Sequence, residues 1–412
     1  MRIVLVYQHF SIGSAGSSKP YDLAKYLAGA GHEVTVISGR SSIAASAEVP
    51  AGLVARLRVD GFDILCLGVR YDQSMSKARR FWAFVAFTLL SMAVVCFLPK
   101  YDVLVASSTP LTVGLVGLVS RYVRRLPWVF ELRDFWPEST YANQYLRSRT
   151  LFRVATFFEE WFYRQASAIC AISQRMIDRL IERGFPPGKL HFIPTGVNIS
   201  AHEVGRDEEF RKAHNLTGQW VAVYAGAHGR VNGLDYLIEA AECLKDDADI
   251  RIVLVGEGTE KARLVAEAQS RGLTPQPLLF LPAVPRSRVP GILKACDAAL
   301  MINVDRPGMK DLMTNKFFDY LASARPIVVN LEAELTNWMR RSDCGLLADP
   351  KRPEDLARVL RELKANAAEA EQMGLRGRRL AEEQFDRAKL HKKWEDVLAR
   401  AAAGKRAAVR AS

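Results

Sequence analysis

Two carboxylates and one lysine flank a predicted loop-to-helix junction between residues 311 and 330. Asp311 and Asp319 stand eight residues apart, with Lys316 between them. Backbone N–H groups at the start of a helix have no partner within the helix and the helix dipole is positive there, so this junction favours a phosphate beside Lys316. Carboxylates accept hydrogen bonds from hydroxyl groups. Phosphate on one side and hydroxyls on the other predict a nucleotide-sugar site.

The elements that position these groups can be predicted from the same stretch. Apolar side chains repeat at helical spacing over residues 317–321, Pro326 ends the helix, and an Ile-Val-Val run follows that is typical of a strand covered on both faces. Thr314 and Asn315 are therefore expected at the amino end of the helix. The alternative interpretation is an ordinary helix start with a capping asparagine and solvated charges.

The same residues resemble family 4 of the retaining glycosyltransferases, whose hallmark is two glutamates separated by seven residues. Asp311 and Asp319 take those two places, and YLASARPIVV follows where the family shows a similar ending, with Ala324 for the usual glycine. The Asn315-Lys316 pair resembles the branch that acts on bacterial polysaccharide precursors, including the N-acetyl-L-fucosamine transferases.

The resemblance implies a role for each residue of this stretch. Lys316 and the backbone amides of residues 315–318 would neutralise a leaving diphosphate, Asp311 would hold sugar hydroxyls, and Asp319 would hold the ribose. Donor binding is therefore expected at four neighbours of Lys316, namely Thr314, Asn315, Phe317 and Asp319.

Two glycine turns that follow predicted strands also fit the resemblance to this family. In YAGAHGRVNGLDYLIEA (224–240), Gly226 and Gly229 would let the backbone approach a diphosphate and Arg230 would add a cation. Ala227 and Asn232 replace the arginine and lysine that the family commonly carries there. LVGEG (254–258) resembles the family's second glycine turn and places Gly256 and Glu257 near the donor. An exposed Arg230 and an ordinary strand-to-helix turn are the alternatives.

In the first half of the chain, the predicted acceptor residues follow the first strand. Residues 11–18 form a small-residue loop that resembles the family's glycine-rich loop, carried here by Gly13 and Gly16. His9 lies at the end of the strand, where doubly wound folds place function. A lone histidine is more often structural. PTGVN (194–198) resembles the family's turn between the two domains, with Asn198 in place of an aspartate.

A second strong signal is WVFELRDFWPEST (128–140), in which charged residues follow a buried strand. An RD-x-WPE run is characteristic of the same polysaccharide-precursor branch. The resemblance implies that Asp134 receives or orients the acceptor hydroxyl proton, that Arg133 meets an acceptor phosphate, and that Trp136 contacts the acceptor. The alternative is a structural ion pair between Arg133 and Asp134.

Alternating strands and helices along the chain predict an α/β protein with two doubly wound, Rossmann-like domains facing each other across a cleft. The resemblance implies that these domains form the GT-B fold. We expect an acceptor domain at 1–199, a polar linker at about 199–218 within the start of a nucleotide-sugar domain at 200–385, and a C-terminal helix at 386–412 that returns toward the first domain and frays at its end.

Composition excludes several classes of function. The six cysteines form no CxxC pair, which leaves zinc knuckles and redox dithiols unsupported. The net charge of +12 favours anionic partners, but no nucleic-acid-binding module is visible. The first strand is followed by no GxGxxG, which argues against an NAD-dependent oxidoreductase. We also expect no secretory signal, because the chain opens directly on a strand.

One apolar stretch raises the question of a membrane. Residues 81–98 carry no charge and follow Lys77, Arg79 and Arg80. Because the stretch lies between two strands of one sheet, we expect a helix packed on the sheet with one face in the membrane, or a wholly buried helix. Residues 145–165 mix arginines with aromatic residues, as interfacial helices do. The predicted location is the cytoplasmic face of the bacterial inner membrane, peripheral or monotopic.

Taken with these features, the resemblance implies a retaining glycosyltransferase that moves a sugar, such as N-acetyl-L-fucosamine, from a UDP-linked donor to a polyprenyl-diphosphate-linked saccharide in O-antigen or capsule synthesis. The expected partners are the nucleotide-sugar, the lipid-linked acceptor and an anionic membrane surface. No cofactor is expected. No metal is expected either, because the Asp247-Ala-Asp249 triplet, which resembles a metal-binding DxD motif, precedes its strand in an acidic loop. A nucleotide-sugar 2-epimerase and a non-catalytic membrane scaffold are the alternatives.

Overall fold

The computed structural model describes residues 1–12, 19–44, 47–72, 75–142, 148–305 and 309–410. The chain divides into two compact units, the first formed by residues 1–194 with 389–412 and the second by residues 195–388. The predicted loop residues Gly13 and Gly16 lie outside the described residues, as does the start of the predicted basic-aromatic stretch at 145–147.

The first unit is built on an eight-stranded sheet in the part of the chain that the structure describes. Its strands are β1 (Arg2–Val6), β2 (Glu33–Gly39), β3 (Val54–Val59), β4 (Phe62–Leu67), β5 (Val103–Ser107), β6 (Trp128–Leu132), β7 (Ala168–Ala171) and β8 (Leu190–Phe192). The strand order is β3-β4-β2-β1-β5-β6-β7-β8, and all neighbours are parallel except β3 with β4. The order reverses at β1 and β5, so a crevice is expected at their carboxyl ends.

Helices cover both faces of this sheet, which is why its central strands are buried throughout and mostly apolar. The helices are α1 (Lys19–Gly29), α2 (Arg40–Ala44), α3 (Lys77–Phe97), α4 (Val113–Leu118), α5 (Trp136–Ala142), α6 (Arg149–Gln165) and α7 (Gln174–Glu182). Residues of α3, α4, α6 and α7 share one core cluster. The other face packs on α1 and on the C-terminal helix (Arg387–Arg410), whose Leu390, Trp394 and Val397 are buried at helical spacing.

The second unit contains a parallel sheet of six described strands in the order β11-β10-β9-β12-β13-β14. These are β9 (Trp220–Ala225), β10 (Ile250–Val255), β11 (Leu278–Leu281), β12 (Ala298–Met301), β13 (Ile327–Val329) and β14 (Gly345–Leu347). The order reverses between β9 and β12, and ligands of open α/β sheets bind at the carboxyl ends of the strands at this switch point.

The helices of the second unit are α8 (Glu208–Ala213), α9 (Asp235–Glu242), α10 (Lys261–Ser270), α11 (Val289–Ala295), α12 (Asn315–Ala322), α13 (Glu334–Ser342), α14 (Pro353–Ala365) and α15 (Ala367–Gln384). The predicted fold class, with two doubly wound α/β domains, is confirmed.

The predicted linker at 199–218 is wrong, because this polar segment folds onto the second unit. Phe210 in α8 is buried, and the Arg211 guanidinium donates to the carbonyl oxygens of Ala295, Leu216 and Gln219. Burial of Phe210 and Leu216, together with the bonds from the Arg211 side chain to backbone carbonyls, holds a segment whose composition is that of a linker. The unit boundary falls after Pro194, five residues before the predicted one at 199.

The apolar stretch forms most of α3. The window from Ala78 to Phe97 has a mean hydropathy of 1.9, and 28% of it is buried, so by length and composition this one helix of the described residues could cross a membrane. One side, with Phe87 and Val95, is fully buried in the core cluster under the sheet, whereas Trp82 is 66% exposed. Packing on the sheet is thus observed, and insertion of the exposed side into a bilayer stays a prediction.

Candidate functional site

The amino end of α12 lies beside the carboxyl ends of β9 and β12. Thr314 occupies the N-cap position in extended conformation, but its side chain makes no capping bond and contacts the Met301 sulfur at 3.8 Å. The side chain of Phe317 is fully buried and packs against Phe318 and Phe385. The predicted donor contact through Phe317 is thereby limited to its backbone. Lys316 and Asn315 are half-buried at the first turn.

Lys316 reaches from this turn onto the loop after β9. Its Nζ donates to Tyr224 Oη at 2.8 Å and to Asn232 Oδ1 at 3.1 Å, and it lies 4.4 Å from the centre of the Tyr224 ring. Burial lowers the pKa of Lys316 to about 7. Among the described residues, no carboxylate forms an ion pair with this ammonium group. A half-buried cation held by neutral oxygens is arranged to receive an anion, which would raise its pKa again.

Asn232, which replaces the family's usual lysine, therefore has a structural role around Lys316. Its Nδ2 donates to the Ala227 carbonyl at 2.8 Å, as does Tyr224 Oη at 2.8 Å. Lys316, from a different element, brings its ammonium group to the turn where the family carries its cations. Tyr224 was not predicted as part of the site, since an aromatic residue inside a buried strand is typical of core.

The glycine turns touch each other beneath Lys316. A Cβ added at Gly226 would lie 2.9 Å from Lys316 Cδ, and one added at Gly256 would lie 1.9 Å from the Gly226 carbonyl oxygen. Gly229 has ordinary space, because its added Cβ would lie 3.6 Å from Asn232 Nδ2. Gly256 is thus required for the close approach of the two turns, and Gly226 leaves room for the Lys316 side chain, whereas Gly229 is required for neither.

We expect Gly256→Ala to lower the free energy of unfolding by about 1–3 kcal/mol, since the backbone must shift to remove the overlap, and to weaken nucleotide binding because the turn under Lys316 moves. Gly229→Ala is the matched control and should stay within about 0.5 kcal/mol of wild type. Urea unfolding and calorimetry with UDP measure both effects. Equal behaviour of the two variants would contradict this account of the turns.

Asp319 is buried one turn into α12, where it accepts hydrogen bonds from Arg286 Nη2 at 3.2 and 3.4 Å. His202 Nε2 lies 3.8 Å from the same carboxylate. Arg286 follows β11 in a 3₁₀ turn and was not predicted as part of the site, because an arginine in an RSR sequence is typical of a solvated loop. Asp311 is half-buried, four residues before the helix.

Other predicted donor residues lie in surface ion pairs. Arg230 is largely exposed and donates to Glu260 at 3.2 Å, and the Glu257 carboxylate accepts from Lys261 at 2.6 Å. The Asp247-Ala-Asp249 triplet is likewise engaged, with Asp247 on Arg361 and Asp249 on Lys364. Arg230 therefore does not share the polar cluster of Lys316, Tyr224 and Asn232.

In the first unit, the predicted acceptor residues follow β1 and β6. The His9 ring lies 4.7 Å from the Tyr71 ring, and enclosure by neighbouring groups together with the Arg133 charge lowers the pKa of His9. The Arg133 amide donates to Ser108 Oγ at 3.1 Å. Trp136 opens α5 and is half-buried. His9 and Arg133 are thus brought to one edge of the sheet.

Asp134 lies at the turn from β6 into α5, where its carboxylate accepts a hydrogen bond from Ser139 Oγ at 2.6 Å. This bond fixes one carboxylate oxygen at the start of the helix. Asn198 belongs to the second unit, and its Oδ1 accepts from Ser200 Oγ at 2.8 Å in the turn that follows. The structure therefore gives Asn198 a local role in turn formation and corrects its assignment to the first domain.

A buried ion pair lies at the same edge as His9 and Arg133. Lys19 Nζ at the start of α1 is 2.9 Å from Glu131 Oε1 at the end of β6, with 4% and 1% of the two side chains exposed. Burial alone would raise the pKa of Glu131, but the charges of Lys19 and Arg133 outweigh burial and lower it to about 2. Lys19 was not predicted, since no local pattern joins it to Glu131.

Comparisons with known proteins agree with this architecture. The model of the glycosyl transferase 4-like domain matches residues 19–196, and the model named glycosyl transferases group 1 matches residues 206–380. The chain is 30% identical over 186 residues to the putative colanic acid biosynthesis glycosyl transferase WcaI of Escherichia coli (strain K12). This match spans 44% of the chain and 44% of that curated relative, less than half of its length.

Solved structures share the fold over almost the whole chain. Anabaena Alr3699/HepE in complex with UDP-glucose has a TM-score of 0.70 at 16% identity and covers 97% of this chain and 100% of its own. WaaG, a glycosyltransferase involved in lipopolysaccharide biosynthesis, has a TM-score of 0.67 at 16% identity, with 97% and 99% covered. Through its two matched domains, the chain belongs to the glycosyltransferases of the GT-B fold.

Proposed function

We propose that this protein is a retaining glycosyltransferase that moves a sugar from a UDP-linked donor to a polyprenyl-diphosphate-linked saccharide in the synthesis of a cell-surface polysaccharide such as O-antigen or capsule. The observation that carries the proposal is the position of Lys316. Its ammonium group lies over Gly226 at the amino end of α12, held by the neutral oxygens of Tyr224 and Asn232 and by the face of the Tyr224 ring.

The proposed reaction depends on stabilising the leaving group. As the bond between the sugar and the diphosphate breaks, negative charge grows on the diphosphate next to Lys316 and the amides that begin α12. Charges and dipoles fixed in advance stabilise such a transition state without reorganisation. The scheme requires no metal and no cofactor, since Lys316 supplies the positive charge.

The rest of the donor would lie along the same edge of the second unit. Asp311 would accept hydrogen bonds from sugar hydroxyls, and Asp319 would accept from the ribose in exchange for its bonds with Arg286. An acceptor hydroxyl then attacks the oxocarbenium-like carbon from the face that the diphosphate leaves. This geometry retains the configuration of the sugar.

The acceptor is assigned to the edge of the first unit. Arg133 would bind an acceptor phosphate through its fork of N–H donors, and Asp134 would take up or orient the proton of the attacking hydroxyl. Asp134 is held by Ser139 at 2.6 Å, which limits its rotamers. His9 and Trp136 would contact the acceptor sugar.

The names of similar proteins support the donor class and the pathway. HepE was solved with UDP-glucose, WaaG is described as acting in lipopolysaccharide biosynthesis, and WcaI is named for colanic acid biosynthesis. Because the Asn315-Lys316 pair resembles that of the branch that includes the N-acetyl-L-fucosamine transferases, we propose that the transferred sugar is an N-acetylated deoxyamino sugar such as N-acetyl-L-fucosamine.

We also propose that the protein works on the cytoplasmic face of the inner membrane. Exposed Phe81, Trp82 and Leu89 on α3 and exposed Phe157 on α6 could enter the interface, while Arg79 and Arg153 face solvent on the same two helices. Aromatic residues beside arginines are typical of surfaces that bind anionic bilayers.

The test of the function is a binding panel followed by turnover. The purified full-length protein is titrated with UDP, GDP, ADP, CMP and NAD, and UDP is expected to bind selectively. Transfer from a UDP-sugar to a polyprenyl-diphosphate-linked saccharide is then measured. Binding of NAD alone, or of no nucleotide, would overturn the proposal. Conversion of the UDP-sugar to its epimer without acceptor would point to a 2-epimerase instead.

Asp319→Asn should weaken UDP binding roughly tenfold to a hundredfold, because a hydrogen bond to a charged group contributes about 1.5–3 kcal/mol. Calorimetry measures the dissociation constant. Asp246→Asn is the matched control, since Asp246 is exposed on the same unit and should leave binding unchanged. If both variants bind UDP like wild type, Asp319 does not hold the ribose.

A further inference from the structure

A cavity of about 630 Å³ lies in the first unit between α3, α4 and α6. Its wall is formed mostly by apolar side chains, among them Phe84, Leu111, Leu115, Val154, Ala155 and Phe158. Cavities of this volume and composition bind drug-sized apolar ligands. Among the lining residues that the structure describes, there is no carboxylate and the one charged residue is Arg80. We call this cavity the apolar groove.

The apolar groove is continuous with the candidate acceptor residues. Tyr71 and Trp136 both line it. Tyr71 stacks on Phe84 with ring centres 5.5 Å apart and contacts His9 at 4.7 Å, and Trp136 begins the helix that follows Arg133 and Asp134. One end of the groove therefore lies at the edge of the sheet to which the acceptor has been assigned.

Charge is arranged around the groove as a lipid with an anionic head would require. Arg80 lines the groove, Arg149 is exposed in the first turn of α6, and Arg133 follows β6 at the acceptor edge. The groove also opens between side chains that are themselves exposed, including Phe81 and Leu151. An apolar groove with Arg80 in its wall and Arg133 at the adjoining acceptor edge matches a long hydrocarbon joined to a diphosphate.

We propose that the apolar groove binds the part of the acceptor lipid that adjoins its diphosphate, with the hydrocarbon between α3 and α6 and the diphosphate at the acceptor edge near Arg133. This inference rests on the proposed function and names a second determinant of its acceptor. The enzyme selects its acceptor by the lipid as well as by the sugar. A bilayer phospholipid fits less well, because nothing in its binding would require continuity with His9 and Trp136.

The test compares probes that differ only in chain length or head group. The full-length protein is titrated with farnesyl diphosphate, dimethylallyl diphosphate and farnesol. Farnesyl diphosphate is expected to bind at least about tenfold more tightly than dimethylallyl diphosphate, since burying even two methylenes accounts for about that factor. Farnesol should bind more weakly than farnesyl diphosphate because it lacks the anionic head.

Ala155→Trp fills the groove and should abolish the preference for the longer chain while leaving the affinity for UDP unchanged. Phe157→Trp is the matched control, since Phe157 lies on the same helix, is 68% exposed and does not line the groove. Should Ala155→Trp fail to fold, Leu151→Glu at the exposed lip replaces it, with Ile181→Glu on α7 as its control, since Ile181 is 43% exposed and does not line the groove.

Several results would contradict the proposal that the apolar groove binds the acceptor lipid. A chain-length preference that survives in Ala155→Trp, or no preference in wild type, would exclude the hydrocarbon from this cavity. Equal binding of farnesol and farnesyl diphosphate, with parallel loss of binding to phosphatidylglycerol vesicles in Ala155→Trp, would assign the cavity to membrane lipid. Failure of the proposed function can be distinguished from failure of this inference. If the proposed function is wrong, the wild-type protein will not bind UDP, whatever the prenyl probes show.

Discussion

Replacing Lys316 by alanine is expected to lower kcat by roughly a hundredfold to a thousandfold, the usual effect of removing one group that stabilises charge in a transition state. In the structure, Lys316 Nζ lies where α12 begins, 2.8 Å from Tyr224 Oη and 3.1 Å from Asn232 Oδ1. Neither neighbour can neutralise the charge that develops on a leaving diphosphate. The alanine variant keeps the helix and loses the cation.

The protonation of Lys316 provides a second readout of the same contact. Burial lowers the pKa of this lysine to about 7 in the free protein, so above pH 7 a growing share of the molecules holds it neutral. A bound diphosphate favours the ammonium form and raises the pKa. Binding of UDP at pH 8 should therefore take up a proton, which calorimetry in buffers of different ionisation enthalpy detects. The uptake should be absent in Lys316→Ala.

The measurement for Lys316→Ala is kcat and the donor KM with the same lipid-linked acceptor for every variant. Lys351→Ala is the control, since Lys351 is exposed on the same unit. Lys316→Arg should recover little activity, because the larger guanidinium must fit against Gly226, which already approaches the Lys316 side chain closely. A Lys316→Ala enzyme within a few-fold of wild type would remove Lys316 from the mechanism.

The sequence could predict Lys316 because every feature that places it is local. Helical spacing after residue 316, a proline that ends the helix and an apolar strand fix the helix start within a few residues. The predicted sheets were confirmed for the same reason, since apolar strands alternating with helices form parallel sheets. β3 and β14 escaped prediction because both are half-exposed strands at a sheet edge.

Contacts made across the chain could not be predicted in this way. Arg286 meets Asp319, Tyr224 meets Lys316, and Arg211 anchors α8 on the carbonyl of Ala295. Each contact joins two elements that only the folded sheet brings together, so the sequence around one partner does not identify the other. A side-chain role predicted from a motif was also unreliable where packing buries the residue. Phe317, predicted to contact the donor, is an example because its side chain is fully buried.

The Lys19–Glu131 pair is another contact that the sequence did not predict, because its partners are far apart along the chain. Among the variants considered, loss of this pair is expected to lower the free energy of unfolding most. Its two side chains are almost fully buried and come from α1 and β6. Removing one partner of a buried pair leaves an uncompensated charge, which costs about 3–5 kcal/mol. Lys19→Met is therefore expected to lower the free energy of unfolding by this amount at pH 7, and Lys19→Met combined with Glu131→Leu should recover most of the loss.

The pH dependence of this loss has a definite sign. The pKa of Glu131 is lowered to about 2 in the folded protein, so its ion pair contributes stability above the ordinary carboxyl pKa of about 4.3 and loses it as the pH falls toward 2. In Lys19→Met the buried carboxyl can instead take up a proton at mildly acidic pH. The stability gap between wild type and variant should thus narrow from pH 7 to pH 4, as measured by urea unfolding.

The matched control lies on the same helix. Lys25 pairs with Asp60 at 3.4 Å, but 58% and 37% of these side chains are exposed, and exposed pairs contribute at most about 1 kcal/mol. Lys25→Met should accordingly change stability little at any pH. A loss below about 1 kcal/mol for Lys19→Met, or a gap that widens toward pH 4, would show that Arg133 and the other groups around Glu131 compensate its charge without Lys19. In that case the edge of the sheet that holds His9 and Arg133 would not depend on Lys19 for its charge balance.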